Sequence, residues 1–392
     1  MTHDKLVNYL KTLQSKGVYR TRKNTQTQKK ARVIVQHKTL INFCSNDYLG
    51  LSVNETVIRA LQTGAEKFGA GSGSAHLICG HSNAHHALEE ELADFTGRER
   101  SLLFSTGYMA NLGAITALCQ HGDHIFEDKL NHASLLDGGL FSGAKFRRYP
   151  HNDTARLSQL IGATTEGEKL IVTDGVFSMD GDVADLKTLS NIARKSAAWL
   201  MVDDAHGLGV LGKTGGGLIE TLQLSTEDVP ILMGTLGKAF GTFGAFIAGS
   251  DTLIETLIQS ARTYIYTTAL PPAIAQATRA SLKIVIEETW RREKLHALIT
   301  QFKAGAKQLH LPLMPSDSPI QPLLVGDSVL ATQMSEKLFE AGFLVSAIRP
   351  PTVPQGKARL RITLSALHEE EDINQLLDTL ALIHRSCSYN AK

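Results

Sequence analysis

A single lysine, Lys238, stands just beyond a short apolar run in ILMGTLGKAFG. A lysine amine can hold a carbonyl compound as a Schiff base once desolvation or a nearby cation lowers its pKa. Other apolar runs in the chain also end on groups that could do chemistry. SLLFS leads into Thr106-Gly107-Tyr108, which opens a helical pattern and would offer free backbone N–H groups to a phosphate. DHIFED is followed by Asn131-His132, and KLIVTDGVF by Ser178. WLMV runs into Asp203-Asp204-Ala205-His206, and ILMG ends in Thr235. The set comprises an amine, an anion seat, a carboxylate, two imidazoles and two hydroxyls.

The elements that must position these groups alternate between two periods. Short strands are expected at 101–105, 123–128, 169–177, 199–204, 231–235 and 245–249, with helical stretches such as GYMANLGAITALC and LKTLSNIARKSA between them. Strand, helix, strand in succession predicts an α/β fold with a mostly parallel sheet covered on both faces. Ligands of such a sheet sit beyond the carboxyl ends of its strands, where every group named above falls. VIVQHKTLINF predicts a hairpin, and HHALEEELADFTG a helix stopped by Gly97. From Thr252 the pattern changes, and a long helical stretch over 271–309 leads into a smaller αβ unit with strands near 320–325, 343–347 and 359–364. The expected division is an arm over 1–45, a large domain over 46–285 and a small domain over 286–392.

Pyridoxal phosphate (PLP) chemistry calls for this combination. The lysine forms the Schiff base and later acts as a base, a carboxylate keeps the pyridine nitrogen protonated, and hydroxyls with a helix N-terminus hold the phosphate. Each residue alone has an ordinary alternative: an Asp after a strand is commonly a helix cap, a His a packing residue, a Lys a surface charge. Their joint occurrence at strand ends carries the cofactor reading. Two other patterns compete. GLGVLGKT (207–214) matches the P-loop pattern of a nucleotide hydrolase, but Gly215-Gly216-Gly217 disfavour the helix that a P-loop lysine must open. His81, His85, His86 and Glu89 have metal-like spacing, but without HExxH their order reads as a polar helix face, so no metal is expected.

The composition bounds the class. A chain of 392 residues, 43% hydrophobic and 20% charged, is long enough for two packed domains. A formal net charge of +1 gives no field for nucleic acid, and no apolar run approaches the ~20 residues that span a bilayer. Cys44, Cys79, Cys119 and Cys387 form no CxxC pair, which reads as reduced thiols in a cytoplasmic protein. Residues 1–17 place Leu6, Val7, Leu10 and Leu13 at helical spacing, and the basic segment after them reads as a solvated arm.

TLGKAFGTFG (235–244) resembles the lysine motif of the α-oxoamine synthases, a family of fold-type I PLP-dependent transferases. NFCSNDYLGL, EDKLNHASLLDG, VFSMDGDVADL, VDDAHGLGVLG and YIYTTALPPA are similar to the same family, and the likeness runs from about residue 5 to about residue 383. The resemblance implies that Lys238 holds the cofactor and takes the α-proton, Asp203 pairs with the ring nitrogen, His132 stacks on the ring and His206 bonds its phenolic oxygen. It implies that Gly107, Tyr108 and Thr235 lie at the phosphate, and that Ser178 lines the pocket. Asn46 and Arg361 would hold the amino-acid carboxylate, Arg20 and Thr352 match substrate positions, and Arg349 is a contact for the acyl substrate. Thr267 or Thr268 would reach the phosphate of a neighbouring subunit, making a homodimer.

Within the family, AIRPPTVPQGKARLRITLSALHE (347–369) is most similar to the branch that joins L-alanine to a pimeloyl thioester in biotin biosynthesis. The carrier there is acyl-carrier protein (ACP) or coenzyme A (CoA). Glycine C-acetyltransferase and 5-aminolevulinate synthase resemble the stretch but differ at Arg349. The departure from the family pattern is Ser74-Ala75-His76 after the glycines of GAGSGSAHLICGHS (69–82), a loop near the acyl channel in related enzymes.

Overall fold

The structure, a computed structural model, describes residues 2–15 and 18–389. The chain divides into two compact units, Asn46–His296 and Met1–Ser45 with Ala297–Lys392. The N-terminal segment and the C-terminal segment thus form one unit instead of an arm and a separate domain. The large unit also extends past residue 285, to the first turns of the helix Trp290–Gln308.

The large unit is built on seven strands: β1 (Arg100–Phe104), β2 (His124–Asp128), β3 (Lys145–Tyr149), β4 (Lys169–Asp174), β5 (Trp199–Asp203), β6 (Ile231–Thr235) and β7 (Ala245–Gly249). Their order in the sheet is β1-β7-β6-β5-β4-β2-β3. Only β7 runs antiparallel to its neighbours. The central strands carry continuous apolar runs, Leu170-Ile171-Val172 and Leu200-Met201-Val202, because helices cover both faces and neither side meets water. Two apolar clusters lie on the sheet, one around Phe104, Ile115 and Met233, the other around Phe126, Ile171 and Leu232.

Six of these strands coincide with the expected runs. The seventh, β3 (KFRRY), lies at the sheet edge with only Tyr149 buried, so its charges face solvent and no apolar run marks it. β4 ends at Asp174, three residues short of the Phe177 at which its apolar run ends. The helix Asn83–Thr96 stops on Gly97, whose φ of 63° is the left-handed conformation that glycine adopts without strain.

The other unit holds a four-stranded sheet of Thr25–Lys29, Arg32–Val35, Lys38–Asn42 and Phe343–Leu344. The expected hairpin pairs antiparallel as Arg32–Val35 with Lys38–Asn42. A second sheet orders Ile320–Gly326, Ala358–Thr363 and Ser346–Ile348. The basic segment read as a solvated arm supplies the strand Thr25–Lys29. The expected amphipathic helix is His3–Ser15; residues 16 and 17 lie outside the described residues. Among the described residues no helix is long and apolar enough to cross a membrane.

Candidate active site

Lys238 follows β6 and is half-buried, with Nζ 2.8 Å from Nε2 of His206. His206 comes from the turn after β5, and its Nδ1 lies 2.7 Å from the hydroxyl of Tyr48. That hydroxyl donates to Oδ1 of Asn46 at 3.2 Å. Since a tyrosine has one proton to give, and Asn46 takes it, the oxygen of Tyr48 accepts from Nδ1–H of His206. The imidazole therefore turns a lone pair at Nε2 toward the lysine amine. The geometry builds a directional chain from Lys238 through His206 and Tyr48 to Asn46.

A second chain surrounds Asp203, the last residue of β5, which is 5% exposed. Its Oδ1 accepts the backbone N–H of Ala205 at 3.0 Å, and its Oδ2 accepts Nδ2 of Asn111 at 2.7 Å. The second proton of that amide goes to Oγ of Ser134 at 2.9 Å, and this hydroxyl lies 2.8 Å from Nδ1 of His132. The backbone N–H of Ser134 also donates to Nδ1, at 3.3 Å, as His132 caps the helix Ala133–Phe141. Both contacts make Nδ1 an acceptor, which places the ring proton on Nε2. His132 is exposed, and its backbone N–H donates to Oδ2 of Asp174 at 2.8 Å.

Asp174 pairs in register with Asp203 across β4 and β5. Burial, and then the charge of Asp203, push the pKa of Asp174 well above the ordinary carboxylate range. Asp204 points away from this group. Its Oδ2 accepts the N–H of Leu218 at 2.7 Å, while Oδ1 is buried with no partner among the described residues. Burial pushes its pKa up to about 8.

The structure brings Lys238, His206, Asp203 and His132 together with Asn46, and adds Tyr48, Asn111, Ser134 and Asp174, none of which was expected from sequence. Asp174 was findable: it ends a strand as Asp203 does, but the apolar run carries the reading on to Ser178. Ser178 lies in the turn after Phe177, half-buried. Thr235 ends β6 with its hydroxyl 3.2 Å from the carbonyl of Gly244. Gly107 and Tyr108 open the helix Gly107–Leu118, capped by the Thr106 side chain on the N–H of Met109. The Tyr108 hydroxyl bonds Asp137 at the surface, so only its backbone N–H suits an anion. Arg20, Arg349, Thr352 and Arg361 belong to the other unit. Arg361 is buried in the strand Ala358–Thr363, while Arg20 and Thr352 are exposed.

The donor set fits PLP: an amine, a buried carboxylate with both oxygens anchored, an imidazole on each side of the set, and a helix N-terminus. The P-loop alternative fails on local structure, because Lys213 and Thr214 lie in an irregular turn and the next helix begins only at Gly217.

Residues 38–380 match the aminotransferase class I and II family. The 8-amino-7-oxononanoate synthase of Saccharophagus degradans is 60% identical over 372 residues, 94% of each chain. The chain belongs to the 8-amino-7-oxononanoate synthases. The solved synthase of that name from Francisella tularensis matches with a TM-score of 0.79 at 35% identity, over 90% of this chain and 99% of that one. A serine palmitoyltransferase variant from S. paucimobilis, solved with bound PLP and myriocin, matches with a TM-score of 0.92 at 30% identity over 98% of both chains. The synthase family is therefore a set of fold-type I PLP transferases, the class that the resemblance of TLGKAFGTFG implies.

Proposed function

We propose that this chain condenses L-alanine with a pimeloyl thioester, giving 8-amino-7-oxononanoate, carbon dioxide and the free carrier, with PLP held on Lys238. The observation that carries this reading is Lys238 Nζ at 2.8 Å from an imidazole lone pair, on the same sheet edge as the anchored carboxylate of Asp203. When bound, PLP supplies an electron sink that makes loss of the α-proton and of carbon dioxide accessible.

The chain's own residues do the rest. Lys238, released when substrate amine takes its place, removes and returns the α-proton at Nζ. His206, with its tautomer set by Tyr48 and Asn46, would receive a proton at Nε2 from that nitrogen and, once protonated there, would bond the phenolic oxygen. Asp203, its carboxylate anchored at both oxygens, would pair with the ring nitrogen. His132 would stack on the ring, and Ser178 would line the pocket. The N–H groups of Gly107 and Tyr108, with Thr235, bind the phosphate. Arg361 and Asn46 hold the alanine carboxylate, Arg361 through its bidentate fork. Arg20 and Thr352 contact substrate, and Arg349 the acyl donor, which is carried on ACP or CoA.

The working form is a cytoplasmic homodimer, with Thr267 or Thr268 reaching the phosphate of the partner. Leu77, Ile78, Leu140 and Phe141 of the large unit are exposed large apolar side chains, which supports burial against a second copy. Cys44, Cys79 and Cys119 are free thiols, which supports a reducing compartment; the Cys387 side chain lies outside the described residues.

Borohydride reduction of the yellow holoenzyme should fix the cofactor to the peptide carrying Lys238, and Lys238→Ala should leave no labelled peptide. A label on another lysine overturns the cofactor assignment. In a matrix of alanine, glycine and serine against pimeloyl, acetyl and succinyl thioesters, alanine with pimeloyl should be preferred by at least about 10-fold. A preference for glycine with the acetyl donor overturns the substrate assignment and spares the cofactor one.

A further inference from the structure

The Ser74-Ala75-His76 departure leads into a site that shares no residue with the Lys238 pocket. Residues His76–Gly80 form one π-helical turn that delivers His81 to the start of the helix Asn83–Thr96. That helix carries His86 and Glu89 three positions apart, hence on one face. A cavity of about 630 Å³ opens there, lined among others by His81, His86, Glu89 and Tyr264.

The donor atoms of His81, His86 and Glu89 lie within 4.8 Å of one another. Glu89 uses Oε1 to accept the N–H of Leu103 at 2.9 Å. Its Oε2 faces Nε2 of His81 at 3.8 Å, too far for a hydrogen bond. Two ligands of one tetrahedral ion with bonds of ~2.05 Å stand ~3.3 Å apart, so a shift of about half an ångström closes this gap around a cation.

His81 is prepared for that role from its other side. Its Nδ1 lies 3.0 Å from Nδ1 of His76, which is 6% exposed and stacked on Tyr264 at 4.9 Å and 13°. In the tautomer in which Nδ1–H of His81 donates to His76, Nε2 of His81 turns its lone pair toward Oε2 of Glu89. A ligating histidine whose second ring nitrogen is held by another residue has this arrangement. His85 is not a ligand: its Nδ1 accepts the N–H of Ser82 at 3.0 Å and its Nε2 donates to the carbonyl of Leu270 at 2.7 Å.

We propose that His81 Nε2, His86 and Glu89 Oε2 bind a divalent cation of the zinc class, with His76 as the positioning residue and water from the cavity completing the shell. Two imidazoles and a carboxylate select such an ion over magnesium, which prefers all-oxygen shells. The sequence gives His81, His85, His86 and Glu89 metal-like spacing but reads all four as a polar helix face, whereas His81 precedes the helix Asn83–Thr96 and His85 is fully buried.

The test is equilibrium dialysis of the tag-free, PLP-saturated full chain against Zn²⁺. One ion per chain should bind, excess Mg²⁺ should not displace it, and Cys79→Ser should retain it. His81→Ala and Glu89→Gln should each weaken binding by at least about 10-fold, and His76→Phe by about 10–100-fold. His86→Ala, at an exposed position, should weaken it in a chain that folds normally. Unchanged affinity in His86→Ala and Glu89→Gln, loss of binding in Cys79→Ser, or displacement by Mg²⁺ overturns the site.

Discussion

The hydroxyl of Tyr48 lies 2.7 Å from Nδ1 of His206, at the opposite ring nitrogen from Lys238. Tyr48 is fully buried and gives its own proton to Asn46, so it can only accept from the imidazole. Tyr48 thereby decides which ring nitrogen of His206 faces the lysine as an acceptor.

Tyr48→Phe keeps the ring and removes that acceptor. Leaving Nδ1–H of a buried imidazole unpaired costs about 1–3 kcal/mol, either in stability or by driving His206 to the other tautomer. The expected result is a 10–100-fold fall in kcat, in proportion to the roughly 10²-fold that a positioned proton carrier contributes, with a small change in KM for alanine. The pH titration of the bound cofactor's absorbance should shift as well. Wild-type kcat together with an unmoved titration would remove Tyr48 from the chain.

Asp174 and Asp203 are neighbours in register with opposite duties, and substitution by Asn separates them. Burial raises the pKa of Asp174, so Asp174→Asn, which keeps an uncharged acceptor for the N–H of His132, should retain activity within a few-fold. Asp203→Asn removes the charge offered to the ring nitrogen and should lower kcat by at least about 10²-fold. Asn111→Ala, which frees Oδ2 of Asp203 and Ser134 together, should fall between them. Steady-state rates at saturating PLP measure all three, and equal losses in both Asp variants would show that Asp174 shares the duty given to Asp203.

Arg361→Lys tests the carboxylate assignment. The lysine preserves charge but loses the planar fork, so KM for alanine should rise about 10-fold or more while kcat changes less. A variant whose KM for the acyl donor rises instead would move Arg361 to the other substrate.

How much of this was legible in sequence depended on what each residue had to show. Lys238, Asp203, His206 and His132 stand at the ends of apolar strands, and strand ends are visible as breaks in hydrophobicity. Asp174 is equally a strand end, but Val176 and Phe177 continue the apolar run in a buried turn and hide it. The edge strand Lys145–Tyr149 has no apolar face to reveal, since water meets most of its side chains. The helical pattern over 271–309 breaks into Pro272–Glu287 and Trp290–Gln308 at a position no proline or glycine announces. Tyr48 precedes His206 by 158 residues, and a tautomer fixed across that separation has no signature in one dimension.

Asp204 yields a prediction about pH. Its folded pKa is raised to about 8 by burial, from an ordinary value of 3.8. Below pH 4 both folded and unfolded chains hold the proton, and Asp204 contributes no pH dependence. Between about pH 4 and 8 the folded chain keeps a proton that the unfolded chain releases, so stability falls as pH rises, by at most about 1.4 kcal/mol per unit. Asp204→Asn removes that loss while its amide oxygen still accepts the N–H of Leu218. The variant's Tm should therefore gain on wild type steadily from pH 5 to pH 8, with activity within a few-fold. Gly207→Ala should do the opposite, since a Cβ there would lie 2.1 Å from Oδ1 of Asp204 and overpacking costs about 1–3 kcal/mol. Parallel Tm curves for wild type and Asp204→Asn across that range would mean that the folded chain holds Asp204 ionised.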